Sequence, residues 1–169
     1  LVNEQGEVVE SEDPFAVFIN LNRQYALPAA ERLLPVFVSE KEGVRHYIFP
    51  VQGSGLWGPI WGYIALDDDL NTIYGAVFAH ASETPGLGAE IATPIFQDQF
   101  KGKTIFENGT YVGIEVLKGV GASAGNPHAV DAISGGTITS RGVQQMIDDC
   151  LAGYKAYIVA RREKNMVQA

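Results

Sequence analysis

Asp131-Ala-Ile-Ser-Gly-Gly-Thr-Ile-Thr-Ser140 sets clustered hydroxyls at the mouth of a long amphipathic segment. From Ser140 onward, Val143, Met146, Ile147, Cys150, Leu151, Tyr154, Tyr157 and Ile158 share one face at a period of about 3.6 residues. Gln144, Gln145, Asp148, Asp149 and Lys155 fall largely elsewhere, and Asp148 and Asp149 are expected to face solvent. Arg161, Arg162 and Lys164 fall in the last turn, where positive charge suits the helix dipole. A helix start leaves several backbone N–H groups unpaired and carries partial positive charge, so it seats a phosphate readily. Gly135 and Gly136 remove the side chains that would keep a bulky phosphate ester off the backbone. Ordinary capping is the plainer use of the same residues: Thr137, Thr139 or Ser140 bonds an early helix N–H. The two uses are compatible, since one hydroxyl suffices as a cap.

Upstream, the pattern changes to strands. Leu34–Ser39, Val44–Val51, Ile60–Leu66 and Thr72–His80 are rich in Val, Ile, Phe, Tyr and Trp. Lys41-Glu42-Gly43, a glycine-rich turn and Asp67-Asp68-Asp69 separate them, and links this short predict antiparallel neighbours. Pro28–Leu34 reads as a short helix with Pro28 in its first turn. Gly86–Gly102 reads as partly helical, with Ile91, Ile95, Phe96 and Phe100 at helix-like spacing. Asn108-Gly109 is a turn signal between Thr104–Phe106 and Tyr111–Leu117, predicting a hairpin. Gly119–Asn126 is small and expected to be flexible. Residues 1–13 are polar and acidic and read as a flexible lead-in; 14–160 form the domain, and 161–169 a polar tail. The expected fold is α+β: an antiparallel-rich sheet with the long C-terminal amphipathic helix packed on it.

The bulk numbers narrow the function classes. At 169 residues and 46% hydrophobic, the chain can build one core. A net charge of −8 with no basic run argues against a nucleic-acid partner. The single Cys150 excludes an intrachain disulfide and, lying on the apolar side of the last helix, reads as a buried structural thiol. No stretch approaches the about 20 apolar residues that cross a bilayer. The chain starts at Leu1 without a methionine, which is expected if an N-terminal anchor or signal has been removed.

Two other stretches stand out. Gly53-Ser-Gly-Leu-Trp-Gly58 spells G-x-G-x-x-G, but Pro59-Ile-Trp-Gly62 follows in place of a helix, and Asp67–Asp69 come too early for the acidic residue expected about 20 positions on. A turn presenting Leu56 and Trp57 is the better reading, either as core or as the wall of an aromatic-ligand pocket. His80-Ala-Ser-Glu-Thr-Pro-Gly-Leu-Gly-Ala-Glu90 has too few ligands nearby for a metal site, and Pro85 with two glycines argues for a loop. A serine hydrolase would need a G-x-S-x-G elbow, which the chain lacks.

Together, Gly53–Gly62, His80–Glu90 and Asp131–Ser140 resemble, in matching order, the C subunits of sodium-translocating NADH:quinone reductases, and the likeness runs from about Pro14 to Ala160. Asp131–Ser140 is similar to the S/T-G-A-T flavinylation motif, with Gly136 where the pattern usually has Ala. The resemblance implies FMN joined by a phosphoester to Thr137, with Thr139 as the rival attachment point. It further implies Ser134, Gly135 and Gly136 around the phosphate, Glu83, Thr84, Leu87 and Gly88 along the ring, and Leu56 and Trp57 flanking it. Asp131 matches the acidic residue expected to be recognised by a flavin transferase. On this resemblance the domain is an electron carrier of a membrane redox complex that exports sodium, docked to its other subunits. It would lie on the periplasmic side of the inner membrane, tethered by an N-terminal transmembrane helix. The G subunit of Rnf-type electron-transport complexes shares the last two segments and is the alternative, along with a flavin-free binding or assembly module of the same fold.

Overall fold

The computed structural model describes residues 1–11 and 13–168, so Glu12 of the expected lead-in and Ala169 of the expected tail lie outside the described residues. Two short helices open the chain, α1 (Pro14–Ile19) and α2 (Leu21–Ala26). Asp13 caps α1 by accepting from the N–H of Ala16 at 3.0 Å, and Pro14 holds the first helical position. Each helix is under two turns long, too short to show an apolar period, and the sequence pattern does not reveal either. Pro28 precedes a single 3-10 turn, Ala29–Glu31, in place of the longer helix expected there.

Four strands then form an antiparallel meander: β1 (Phe37–Lys41), β2 (Val44–Ser54), β3 (Pro59–Asp67) and β4 (Ile73–His80), in that spatial order. Tight links set the register, with Lys41 opposite Val44 and Ser54 opposite Pro59. Along β3, Ile60, Ile64 and Leu66 are buried, whereas Trp61 and Tyr63 point to the other face, so alternation sorts one side for the core. The helix α1 covers part of that other face, setting Phe18 5.2 Å from Phe37 and 6.3 Å from Tyr63.

Beyond β4, the chain turns through two 3-10 segments flanking α3 (Pro94–Gln97). One continuous helix cannot form across Thr93-Pro94, because proline removes the N–H a helix interior requires. Phe96 and Phe100 still reach the core and pack on Phe78 at 6.1 and 5.3 Å. The Asn108-Gly109 turn, with φ of 48° and 81°, joins β5 (Phe106–Glu107) to β6 (Thr110–Tyr111) as a hairpin. The longer strand expected to follow is interrupted at Gly113, whose φ is 69°. It resumes as β7 (Glu115–Leu117), which pairs in parallel with β8 (Ala129–Asp131), an arrangement the sequence reading does not contain.

Last comes α4 (Thr137–Gln168), which lies mainly across β2 on the buried face of the sheet. The ring of Tyr154 meets that of Phe49 edge-on at 4.9 Å, and its hydroxyl donates to Pro35 O at 2.8 Å. Cys150 is buried beside the backbone of Gln52, in keeping with its structural reading. The eight apolar positions from Val143 to Ile158 are all buried.

Four expectations need correction. The lead-in packs: Val2 is buried, bridges Val8 and Leu34, and exchanges backbone hydrogen bonds with Leu34. The helix runs on to Gln168, so Arg161, Arg162 and Lys164 stand before its last turn rather than in it, and Asn165 donates to Asp68 O at 2.9 Å. Gly119–Asn126 is anchored, because the Asp131 carboxylate accepts from the N–H groups of Gly121 and Ser123 while Lys103 Nζ donates to Asn126 O. Asp148 is half-buried and accepts the Tyr111 hydroxyl at 3.0 Å, whereas its neighbour Asp149 is exposed. Among the described residues no helix is long and apolar enough to cross a membrane.

Candidate functional site

Three segments distant in sequence meet at the start of α4. The glycine-rich turn between β2 and β3 brings Leu56 and Trp57, and the loop after β4 brings Glu83, Thr84, Leu87 and Gly88. The first turn of α4 supplies Thr137, Ile138 and Thr139, preceded by Gly135 and Gly136. With Lys118 at the end of β7, they enclose a cleft of about 340 Å³.

Local chemistry shapes each wall. In the turn, Gly55 N–H donates to Gly58 O at 2.8 Å and Ser82 Oγ donates to Trp57 O at 2.7 Å, clamping the turn against the strand end. In the loop, Leu87 and Ala89 both donate to Thr84 O, and Gly86 N–H donates to Glu90 Oε1 at 3.0 Å. His80 is engaged within this loop, where its Nδ1 accepts from the N–H of Glu83 at 3.1 Å. Glycines then allow close approach: a Cβ on Gly142 would lie 2.6 Å from Ser54 O, and one on Gly88 would lie 2.6 Å from Thr139 Oγ1. Gly135 has φ of 75°, a left-handed conformation that other residues rarely adopt, and faces Leu87.

The hydroxyls of the first turn do not cap it. Ser140 Oγ donates back to Gly136 O at 2.8 Å and accepts from Ile133 N–H at 3.0 Å. Thr139 Oγ1 donates at 2.5 Å to Oε2 of Glu83, and both residues are buried. The other oxygen of Glu83 accepts the N–H of Trp57 at 2.8 Å, so one carboxylate ties all three segments together. The first backbone bond of the helix runs from Ser140 N–H to Gly136 O. The N–H groups of Thr137, Ile138 and Thr139 have no acceptor among the described residues. Thr137 is half-buried in the cleft wall, and its hydroxyl makes no hydrogen bond among the described residues.

The cleft therefore joins a positive helix end to an apolar rim. Leu56, Trp57, Leu87 and Ile138 line it yet remain between 43% and 65% exposed, well outside what core side chains show. A flat apolar group laid against them would remove that surface from water. Donors without acceptors, a left-handed glycine and a cation would suit a phosphate at the other end. The residues present thus fit a phosphorylated aromatic heterocycle.

Ten of the residues proposed from sequence reach the cleft wall: Leu56, Trp57, Glu83, Thr84, Leu87, Gly88, Gly135, Gly136, Thr137 and Thr139. Ser134 is exposed on the turn just outside it. Asp131 also lies outside the cleft wall, and its carboxyl is held below the usual carboxylate range by the hydroxyl and N–H of Ser123 and the N–H of Gly121. Two wall residues escape the sequence reading. Ile138 is signalled only by being apolar yet off the buried stripe of α4, and Lys118 stands in no motif at all.

Comparison with known proteins agrees with this geometry. A family model described as an FMN-binding domain matches residues 55–152. The structure of the C subunit of the Na(+)-translocating NADH-quinone reductase from Parabacteroides distasonis is 48% identical, with a TM-score of 0.80 over 93% of this chain and 75% of that one. NqrC of Shewanella oneidensis is 26% identical, with a TM-score of 0.71 over 96% of this chain and 82% of that one. The curated C subunit of the same kind of reductase from Vibrio anguillarum is 41% identical over 111 residues, covering 66% of this chain and 43% of the relative. Another, from Chlamydia caviae, is 36% identical over 165 residues, covering 89% of this chain and 50% of its own length. The chain spans about half the length of these curated relatives.

Proposed function

The chain belongs to the FMN-binding domain family, and on that premise we propose that its cleft holds FMN covalently, through a phosphoester to Thr137. One observation carries the reading: a helix start with three N–H groups lacking acceptors sits beside an unbonded threonine hydroxyl, inside a cleft with an apolar rim. FMN supplies one- and two-electron redox chemistry when bound, and the protein supplies placement and electrostatics.

Each residue then has a task. The N–H groups of Thr137, Ile138 and Thr139 would hold the phosphate oxygens, and Gly135 and Gly136 keep the approach open. Ser134, on the adjoining turn, is within the expected phosphate surround. Leu56, Trp57, Leu87 and Ile138 would cover the ring and exclude water from it. Glu83, Thr84 and Gly88 form the polar floor, and Lys118 adds positive charge where the bound group is anionic.

The relatives, named as C subunits of a sodium-translocating NADH-quinone reductase, support an electron-carrier role in such a complex, relaying electrons between neighbouring redox centres in a process coupled to sodium export. The same relatives favour this over the G subunit of an Rnf-type complex. In this reading the other subunits are partners, and a flavin transferase recognising Asp131 installs the FMN. A transmembrane helix preceding the described domain tethers it on the periplasmic side of the inner membrane.

Co-expression with an active flavin transferase, followed by intact-mass and peptide analysis, tests the proposal. A gain equal to FMN less one water on Thr137 is expected, and Thr137→Ala should abolish it while leaving the circular dichroism spectrum intact. A flavin-loaded Thr137→Ala protein, or an unmodified wild type, would overturn the assignment; the latter favours the flavin-free binding module.

A further inference from the structure

Two threonines sit two residues apart in the first turn of α4, and both belong to the cleft wall. Their surroundings differ. Thr139 is 1% exposed, and its hydroxyl is spent on Glu83. Thr137 faces the cleft with its hydroxyl unbonded among the described residues. Building on the covalent-FMN reading, we infer that Glu83 is a positioning residue that selects the attachment site: it sequesters the Thr139 hydroxyl and leaves Thr137 as the first-turn threonine open to esterification.

The geometry gives Glu83 few other options. Its Oε1 accepts from Trp57 N–H and its Oε2 from Thr139, at 2.8 and 2.5 Å. A hydroxyl that donates to a carboxylate is held in a charge-assisted bond, roughly twice as strong as a neutral one. The pair lies directly over Gly88, where a Cβ would meet both Glu83 and Thr139, so the absence of a side chain there makes room for it. Gly55 stands against the other oxygen of the same carboxylate. Two glycines and one backbone N–H thus fix a carboxylate where it covers one threonine.

The chemistry being steered is a phosphoryl transfer. The threonine Oγ forms a bond to the flavin phosphate, and the phosphoanhydride bond to the leaving nucleotide of an activated flavin dinucleotide breaks. The electron pair leaves with that nucleotide, and the hydroxyl proton passes to solvent or to a transferase base. What disfavours Thr139 is access: at 1% exposure behind the Glu83 carboxylate, its oxygen cannot meet an incoming phosphoryl group.

Peptide mapping after co-expression with an active flavin transferase tests the selection on four proteins. Wild type is expected to carry the gain on Thr137, and Thr137→Ala to carry none. Combining Thr137→Ala with Glu83→Ala should move labelling to Thr139, at least ~10-fold above the detection limit that bounds Thr137→Ala alone, a ratio that corresponds to about 1.4 kcal/mol. Because Glu83→Ala leaves two donors without an acceptor, Glu83→Gln on the same background provides a second route. Glutamine keeps one carbonyl oxygen for one donor, so Thr139 labelling is expected at a lower share. Absence of Thr139 label from the folded double variants overturns the selecting role while Thr137 attachment stands. Thr139 label in Thr137→Ala alone overturns it as well. An unlabelled wild type sinks both readings.

Discussion

The first turn of α4 and its middle turns belong to one helix and are built to opposite rules. From Val143 to Ile158 the helix buries every apolar side chain of its stripe against the sheet. In the first turn it does the reverse: Ile138 is 62% exposed, while the polar Thr139 and Ser140 are buried and bonded. Burial of apolar area is what holds a fold together, so the middle turns carry the stability. The first turn gives that up and keeps donors, a hydroxyl and an apolar rim available. The proposal that this end holds a cofactor therefore predicts that stability and flavin loading are separable along a single helix.

The largest way to break that separation is in the middle. Leu151 is buried in the core cluster, and Leu151→Ala should cost about 2–5 kcal/mol through lost burial and the cavity left behind. Urea denaturation measures it, and the fraction that remains folded should still be labelled at Thr137. At the other end, Thr137→Ala abolishes labelling in the proposed reading, yet should change the stability measured in the same way by no more than about 0.5 kcal/mol, because the hydroxyl it removes bonds to nothing among the described residues. If Leu151→Ala destroyed labelling in folded protein, or Thr137→Ala unfolded the domain, the two ends would not be independent.

The same contrast explains what could be read from the sequence. An apolar stripe against a sheet leaves a 3.6-residue period, and half-buried β3 leaves an alternation, so the terminal helix and the four-stranded sheet were legible. Long-range polar bonds leave no period. A threonine can cap, bond back along its helix, or pair with a carboxylate, and Thr139 chose one 56 residues away in sequence. Nothing local announces that choice, which is why any one of three hydroxyls could be expected to cap the helix, whereas none does so among the described residues. Strands β7 and β8, three residues each, are too short to show a pattern, and Val2 is buried only because Leu34 returns to meet it. Lys118 joins the cleft from a segment with no motif. Leu56 and Trp57 were legible from their glycine-rich turn only as either core or pocket wall, and Glu83 was legible as a candidate lining residue through family resemblance.

A smaller effect is expected at Tyr154, where the middle of the helix makes a polar contact of its own. Its hydroxyl is the partner of Pro35 O, in the buried interior. Tyr154→Phe keeps the ring packed edge-on against Phe49 but leaves that carbonyl without its donor, at a cost of about 1–2 kcal/mol. Urea denaturation of this variant beside Leu151→Ala should give the lesser loss. An equal loss would mean that the hydroxyl, rather than apolar burial, anchors the centre of α4.

The smallest effect should appear as a pH dependence, at the polar contact that α4 makes with Tyr111. Burial pushes the carboxyl of Asp148 above its ordinary value, and the nearby Asp149 adds to this; the Tyr111 hydroxyl opposes it only in part. A carboxyl raised in the folded state binds its proton more tightly there than in the unfolded chain. Its contribution to stability is therefore present below the unfolded carboxylate pKa and is lost as pH rises through the folded one. Asp131 has the opposite sign: held low by Ser123 and Gly121, it stabilises above the unfolded carboxylate pKa and loses that contribution as pH falls through its folded value. Asp148→Asn keeps an oxygen for Tyr111 and removes the charge. Relative to wild type it should be more stable near neutral pH, with the advantage shrinking towards about pH 4, the unperturbed carboxylate range. Asp131→Asn should do the reverse, losing most near neutrality. Denaturation midpoints measure the two slopes, from neutrality down to about pH 4 for Asp148→Asn and from about pH 4 downwards for Asp131→Asn. Parallel slopes would show that the half-buried contact in α4 and the loop anchor at β8 do not differ in their electrostatics, and that the carboxyl–tyrosine pair in the helix is not a site where burial outweighs hydrogen bonding.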